Sequence, residues 1–488
     1  MSRFDSNQRA RSIQKLTGGV FDLLIVGGGI VGAGIARDAA MRGLRVGLVE
    51  QFDFAFGTSS RSSRLLHGGL RYLAQGRLGL VHAASVEKKI LHHIAPHLAN
   101  PLAFIFPTYR GDTEWALWKL KIGVKIYDLL CGGKNLGRST WLSKAEALAR
   151  VPALNEKDLN GAVRYYDGFT NDARLVLDTL RCAEKNGAIL LNYCQLTGAD
   201  ITPGGWQLNL WDFIEDKSIH AIQAKAVVNA TGPWAMKIPH SHVKLRLTKG
   251  IHLVVERSKV PVPDAVVMTE GKRILFAIPW GEWMILGTTD TDYQGSIEKV
   301  YAEPEDIRYV LKIANQFFPK SKLTADDVIS TWAGLRPLIA DANGKPSDIS
   351  RSHQIKNPEP NWWDVAGGKL TTYRLMAEQT VDQIARQLGG KFSPCRTAIE
   401  PLLSTAETCG VSGILPPEFC RAAVEHYCVS EWAIHLGDIM IRRTSWHYYF
   451  SDAEKRAAQV AEWMVEILGW SEAEKTEQLR RYRNATQP

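Results

Sequence analysis

Residues 22–36 read Asp-Leu-Leu-Ile-Val-Gly-Gly-Gly-Ile-Val-Gly-Ala-Gly-Ile-Ala, and a lone acid, Glu50, ends the next apolar run. Phe21 to Val26 is expected as a short apolar strand. Gly27-x-Gly29-x-x-Gly32 then opens a helix on the small residues Ala33, Gly34, Ala36, Ala39 and Ala40. Gly27 permits the tight turn, Gly29 lets the backbone approach a pyrophosphate, and Gly32 allows helix and strand to lie close together. The helix N-terminus faces the anion. Leu44 to Val49 supplies the second strand, with Glu50 placed to hydrogen-bond a ribose diol. Strand, turn, helix, strand and terminal acid in register predict a nucleotide-binding βαβ unit holding a dinucleotide.

The 488 residues have room for two or three domains with ample core. An apolar fraction of 45% beside 23% charged residues is ordinary for a soluble globular chain. The net charge of +8 favours anionic surfaces or substrates without identifying one. Seven cysteines without a Cys-x-x-Cys pair predict neither a disulfide framework nor a zinc site, and point to a reducing compartment. His92, His93 and His97 lack a carboxylate or thiol at site-like spacing, so no metal is expected. The apolar stretch Leu23 to Ala36 belongs to the nucleotide turn and is not a membrane span. The leader, residues 1–19, carries Arg3, Arg9, Arg11 and Lys15 against Asp5 and has no apolar h-region. It reads as a loose basic tail, in preference to a transit peptide, and not as a secretory signal.

Further along, α/β segments alternate with strand-rich ones. Ala173 to Asn186 patterns as a helix stopped by Gly187, followed by a strand from Ala188 to Tyr193. A second apolar strand, Ala224 to Ala230, runs into Thr231-Gly232-Pro233-Trp234. Leu253 to Glu256, Ala265 to Thr269, Ile274 to Pro279 and Met284 to Thr288 predict a mainly antiparallel sheet inserted into the nucleotide domain. Trp363 to Ala366 is a further strand, and a helix from Thr371 to Leu388 stops at Gly389-Gly390. Beyond Pro394 lies a helical region whose clearest helix is expected to start on the capping box Ser451-x-x-Glu454.

Four motifs carry a resemblance. Residues 57–72, Gly-Thr-Ser-Ser-Arg-Ser-Ser-Arg-Leu-Leu-His-Gly-Gly-Leu-Arg-Tyr, are followed by Gly287-Thr288-Thr289-Asp290 and Gly334-Leu335-Arg336-Pro337-Leu338. Gly367-Gly368-Lys369-Leu370-Thr371-Thr372-Tyr373-Arg374 completes the series. Together, from about Phe21 to Leu388, they resemble the FAD-dependent glycerol-3-phosphate dehydrogenases. The resemblance implies an α/β fold: a Rossmann-like FAD-binding domain of the glutathione-reductase/D-amino-acid-oxidase type, an inserted antiparallel-sheet substrate domain and a C-terminal helical cap. The corresponding division is 20–96, 165–243 and 340–390 for the FAD domain, 97–164 and 244–339 for the substrate domain, and 395–488 for the cap. The cap is shorter than the family's, although Ile441-Arg442-Arg443-Thr444 resembles part of it. The calcium-binding extension of the mitochondrial relatives is missing, and no EF-hand loop pattern occurs, which implies the bacterial type.

The residues support a flavin independently. Nucleotide-like segments recur after long insertions, at 224–234 and 363–388, as suits one elongated cofactor threaded past three segments. A helix starting near Thr371 would direct its positive end at the flavin pyrimidine, where negative charge gathers on reduction. The resemblance implies non-covalent FAD contacting Gly27, Gly29, Gly32, Glu50, Thr58, Ser59, Ser63, Gly68, Gly69, Thr231, Gly232, Gly368, Lys369, Leu370, Thr371 and Thr372. It also implies that Arg71, Tyr72, His252, Arg336, Arg351 and Lys369 converge on glycerol 3-phosphate, a substrate with close to two negative charges that suits the guanidinium fork. The implied reaction is oxidation to dihydroxyacetone phosphate by hydride transfer to FAD. His252 is the first candidate base, because imidazole titrates near neutrality, with Lys369 the other; Arg336 is the third residue assigned to the chemistry.

The implied acceptor is a membrane quinone, with oxygen (a glycerol-3-phosphate or amine oxidase) as the alternative. A non-catalytic flavin- or nucleic-acid-binding protein is the remote alternative, and no basic stripe with interleaved aromatics supports nucleic-acid binding. The implied location is the inner face of the cell membrane, reached from the cytoplasm by peripheral contact with anionic lipid; a homodimer is compatible with the sequence. The local candidate for the contact is 115–130, where Trp115, Trp118, Ile122, Ile126 and Leu129 share a helical face. The narrow polar stripe of Lys121, Lys125 and Asp128 would equally suit a buried helix, and favours burial.

Overall fold

The computed structural model describes residues 6–74, 76–132, 135–340 and 353–486. Phe21–Val26 is a strand whose side chains are almost all buried, as a central parallel strand covered on both faces must be. It pairs in parallel with Val46–Val49 on one side and Lys217–Asn229 on the other. Ile189–Leu191 and Trp362–Gly367 extend the sheet in parallel at its two sides, and His353–Glu359 adds an antiparallel edge. Helices Ile30–Met41, Asp172–Lys185 and Tyr373–Leu388 share one core with Leu23, Ile25, Leu48, Val228 and Val365 of this sheet. The Asn171 side chain caps the second of these helices, and the third stops at Gly389 in the left-handed region, φ 69°.

The opposite face of the sheet is covered by the antiparallel pair Cys194–Thr202 and Gly205–Asp212, and by the leader. Here the expectation of a loose basic tail fails over residues 6–19, residues 1–5 lying outside the described ones. Ser6–Thr17 is a helix, Leu16 is fully buried, and Arg9 donates to the buried Asp212 at 2.6 Å and to the Asn192 carbonyl at 2.9 Å. A carboxylate as deeply buried as Asp212 needs a cation, and the leader supplies it.

The second sheet has ten strands, and all but one of its pairings are antiparallel. Leu245–Glu256 lies between Val328–Ile339 on one edge and Trp283–Gly287 on the other. Arg273–Trp280 and Ala265–Glu270 continue the meander, and a parallel pairing of Ala265–Glu270 with Asn100–Tyr109 brings in the 100–169 segment. Leu65–Leu66 pairs with the end of Leu159–Phe169, so the serine-rich loop between the sheets is tied at one end to each.

Helices Arg421–Ser430, Ala453–Leu468 and Glu472–Thr486 form their own core around Trp446 and Tyr427. The capping box expected at Ser451 is absent. The helix begins one residue later, with Asp452 at the N-cap and no side-chain cap bond, which puts Glu454 one position too early to reach back. Buried ion pairs bind this region to the first sheet: Glu431 accepts both Nη1 and Nη2 of Arg174, at 2.5 and 2.8 Å, and Asp53 accepts Arg442 and Arg443.

The helix predicted over 115–130 also differs from expectation. It spans Leu117–Leu130, so Trp115 lies before it and is buried, with its indole N–H donated to the Gly271 carbonyl. Contrary to the leaning towards burial, the remaining apolar residues face outward: Trp118 is 63% exposed, Ile122 54% and Leu129 73%. Trp141, 55% exposed, stands beside them under Lys121 and Lys125.

Candidate active site

A cavity of about 570 Å³ runs between the two sheets from the end of the first parallel strand to the second sheet. Its floor at one end is the glycine turn. Gly27 sits at φ 115°, and a Cβ on Gly32 would lie 1.9 Å from the Gly27 carbonyl oxygen, so the helix approaches the turn as closely as a bare backbone permits. Glu50 closes this end. Its carboxylate accepts the amides of Gly28 at 2.7 Å and Phe52 at 2.9 Å, while burial pushes its pKa up to about 7 against those two bonds. Ser59 Oγ accepts the Ile30 amide at 3.0 Å, which holds the serine loop against the first turn of the helix.

The opposite end is made from four segments far apart in sequence. His252, on Leu245–Glu256, is buried and stacked on Trp332, with centroids 5.2 Å apart. Its Nε2 shares a 2.8 Å hydrogen bond with Ser63 Oγ, and its Nδ1 has no hydrogen-bond partner among the described residues. Burial, then the charges of Arg336 and Arg64, hold the imidazole well below its usual pKa, so it is neutral at pH 7. Arg336 reaches from Val328–Ile339 to Thr288 Oγ1 at 3.0 Å, the Thr289 carbonyl at 3.1 Å and Asp290 at 3.2 Å. Lys369 Nζ lies 4.0 Å from the centre of the Tyr72 ring and 3.5 Å from the Gly68 carbonyl oxygen.

Thr371 Oγ1 receives the His67 amide at 2.9 Å and donates back to the His67 carbonyl at 3.2 Å, joining the start of the Tyr373–Leu388 helix to the serine-loop segment. That helix is preceded by a 3₁₀ turn, Leu370–Thr372. Gly68 is held from the other side: its amide donates to Tyr127 Oη at 2.8 Å, and the Tyr127 hydroxyl donates to Asp167, which is paired with Lys88 at 2.7 Å.

Of the sequence-predicted residues, Gly27, Gly29, Glu50, Thr58, Ser59, Ser63, Thr231, Gly232, Gly368, Lys369, Leu370, Thr371, His252 and Arg336 line this one cavity. Gly32, Gly68, Gly69, Tyr72 and Thr372 do not line it; Tyr72 lies under Lys369, and Gly69 lies beside the Lys369 ammonium. The Arg71 side chain and all of Arg351 fall outside the described residues. The sequence reading passed over Phe52, Phe56 and Trp234, three clustered rings on the wall, and Arg61, whose guanidinium stands 5.2 Å from the Phe56 ring. Nothing in the local pattern singles out Arg61, which is one polar residue among serines. Among the described residues no group of His, Cys, Asp and Glu could hold a metal ion.

The chain matches the family of FAD dependent oxidoreductases over residues 22–383 and the C-terminal domain of alpha-glycerophosphate oxidase over residues 413–475. It is 40% identical over 410 residues to an aerobic glycerol-3-phosphate dehydrogenase of Bacillus subtilis, covering 82% of this chain and 74% of the relative. An enzyme of the same name from Staphylococcus aureus is 40% identical over 390 residues, covering 77% and 70%. Among solved structures, the glycerol-3-phosphate dehydrogenase of Bacillus halodurans complexed with FAD superposes with a TM-score of 0.79 and 30% identity, covering 99% of this chain and 98% of the other.

Proposed function

The chain belongs to the FAD dependent oxidoreductases, on the branch of the bacterial aerobic glycerol-3-phosphate dehydrogenases, and from that premise we propose that it oxidises sn-glycerol 3-phosphate to dihydroxyacetone phosphate with non-covalent FAD. The observation that carries the reading is the single cavity joining the dinucleotide turn at Gly27–Ile30 to His252, Arg336 and Lys369. The cradle fits the cofactor's chemistry: a glycine turn without side chains for a diphosphate, and a buried acid for a ribose. Bound FAD supplies a two-electron acceptor for the hydride of carbon 2. Arg336 holds the phosphate by charge-assisted hydrogen bonds, and His252 takes the hydroxyl proton through Ser63, whose Oγ accepts it while passing its own proton to Nε2. Lys369 steadies the oxygen as it becomes a carbonyl. A dianion beside Arg336 offsets the positive charge that keeps His252 unprotonated, so substrate binding raises the affinity of the base for its proton.

We assign FAD to 20–96, 165–243 and 340–390, substrate to 97–164 and 244–339, and a cap to 395–488; Leu65–Leu66 and the end of Leu159–Phe169, which pair in the antiparallel sheet, cross that division. Electrons pass on to a membrane quinone. No helix among the described residues is long and apolar enough to cross a membrane; the contact proposed is a peripheral one. The face of Leu117–Leu130 bearing Trp118, Ile122 and Leu129, with Trp141 and three lysines beside it, has the composition of an interfacial helix on anionic lipid.

Oxygen is the competing acceptor, because the C-terminal match is to a family named for an oxidase. The test is to reduce the yellow protein with glycerol 3-phosphate and compare quinone reduction with peroxide formation under air. Quinone reduction with little peroxide supports the proposal, and stoichiometric peroxide without quinone reduction would overturn the acceptor. Flotation on anionic vesicles should be lost when Trp118 and Trp141 become Ser; normal flotation of that variant would move the contact elsewhere.

A further inference from the structure

The cavity wall carries a cation, Arg61, to which the motif that contains it has so far given no role. Of the four amides from Gly27 to Ile30, three are engaged within the protein. Gly27 donates to the Val49 carbonyl at 2.8 Å, Gly28 to Glu50 at 2.7 Å, and Ile30 to Ser59 Oγ at 3.0 Å. A turn with so many amides committed is short of donors for a diphosphate. Arg61 lies two residues beyond Ser59 and two before Ser63, hence between the residue that caps the helix and the residue that holds His252. Arg61 lines the cavity, and its guanidinium stands on the Phe56 ring at 5.2 Å and is paired with no carboxylate among the described residues. Burial lowers its pKa, so its charge is held in a medium that a counter-anion would relieve.

The neighbouring cations are committed elsewhere. Arg442, which also faces the Phe56 ring, is bound to Asp53 and Asp438. Lys237 is paired with Glu298 at 3.2 Å. At the reacting end, the guanidinium groups whose charges act on His252 are those of Arg336 and Arg64. The main chain at Arg61 is firmly seated: a Cβ on Gly334 would lie 2.7 Å from the Arg61 carbonyl oxygen, so the second sheet touches this segment directly.

We propose that Arg61 is the side-chain counter-charge for the diphosphate of the dinucleotide, adding a planar pair of donors to a turn whose amides are largely committed. This rests on the FAD reading above and extends it to a residue of this chain. The test uses the intact protein after its flavin has been removed, with calorimetric titration of FAD, ADP and riboflavin. Arg61→Gln should weaken FAD and ADP by about ten- to a hundredfold, the scale of one charge-assisted contact, and leave riboflavin unchanged because it has no diphosphate. Arg61→Lys, which keeps charge but not the fork, should fall between Gln and wild type, and it carries the test if the Gln variant does not fold. Equal FAD affinity in wild type and a folded variant would overturn the proposal. So would a rise in KM for glycerol 3-phosphate with FAD affinity intact, since that would place Arg61 at the substrate phosphate. Wild-type protein that takes up no FAD would instead bring down the reading on which the proposal rests.

Discussion

The dinucleotide end of the cavity and its reacting end are built from different material. At the first, the wall is mainly main chain, a left-handed Gly27 and a helix start with no room for a Cβ at Gly32, with Arg61 as the side-chain charge proposed for it. At the second it meets side chains, from His252, Arg336, Lys369 and Ser63, which no continuous stretch of chain brings together. A backbone site is a property of a dozen consecutive residues and fails when the fold fails. A side-chain site is a property of the assembled sheets and can lose one member while the rest stands. Substitutions at the two ends should therefore separate loss of structure from loss of chemistry.

The largest effect is expected at the backbone end. Gly32→Ala forces a Cβ against the Gly27 carbonyl and should cost about 3 kcal/mol or more, the upper range of overpacking, because backbone cannot step aside as a side chain can. Melting temperature and flavin-to-protein ratio should fall together; a variant with normal values in both would break the contrast. At the reacting end, His252→Gln should slow flavin reduction by about a hundred- to ten-thousandfold while flavin content stays near normal. A fall of less than tenfold would move the base to Lys369. Because the His252 imidazole is held below its ordinary pKa of 6.5, the acid limb of kcat/KM, which reports the free enzyme, should lie below pH 6.5.

Arg336→Ala should cost about 1.5–3 kcal/mol, roughly ten- to a hundredfold or somewhat more in kcat/KM, again with flavin retained. Loss of flavin with no change in KM would show that Arg336 belongs to the other end. The last effect is read in stability and concerns Glu50. Its folded pKa of about 7 lies above the ordinary 4.5, so the folded state binds the extra proton between those values. The stability this contributes is complete below pH 4.5 and lost as pH rises through 7. Glu50→Gln, measured without flavin by denaturant titration, should therefore flatten the decline in stability between pH 5 and 7. An unchanged slope would mean that the carboxyl is not perturbed.

What could be read from the sequence follows the same division. The turn at Gly27 and its closing acid were legible because their geometry is local, and the parallel strands around them because they are continuous apolar runs. His252 and Arg336 were placed only through their motifs, since nothing in their flanking residues says that Leu245–Glu256 and Val328–Ile339 pair. The leader was misread because Arg9 finds Asp212 two hundred positions away, and a basic stretch shows no trace of its partner. The capping box at Ser451 fitted the pattern but not the register, because a one-residue shift in the helix start leaves composition unchanged. Leu117–Leu130 has apolar residues on both its faces, so the sequence could not say which was outside. The structure turns Leu120, Val124 and Tyr127 inward.

The central claim is that a dinucleotide seated on the glycine turn and a phosphorylated alcohol held by side chains meet in one cavity. It is tested most directly by mixing the flavin-loaded protein anaerobically with glycerol 3-phosphate, and separately with glycerol, while following the flavin absorbance. The account predicts rapid and complete bleaching by the phosphate ester, bleaching by glycerol slower by at least the factor lost in Arg336→Ala, and slow bleaching of His252→Gln. A flavin that stays yellow with glycerol 3-phosphate, or bleaches equally fast with glycerol, would contradict it.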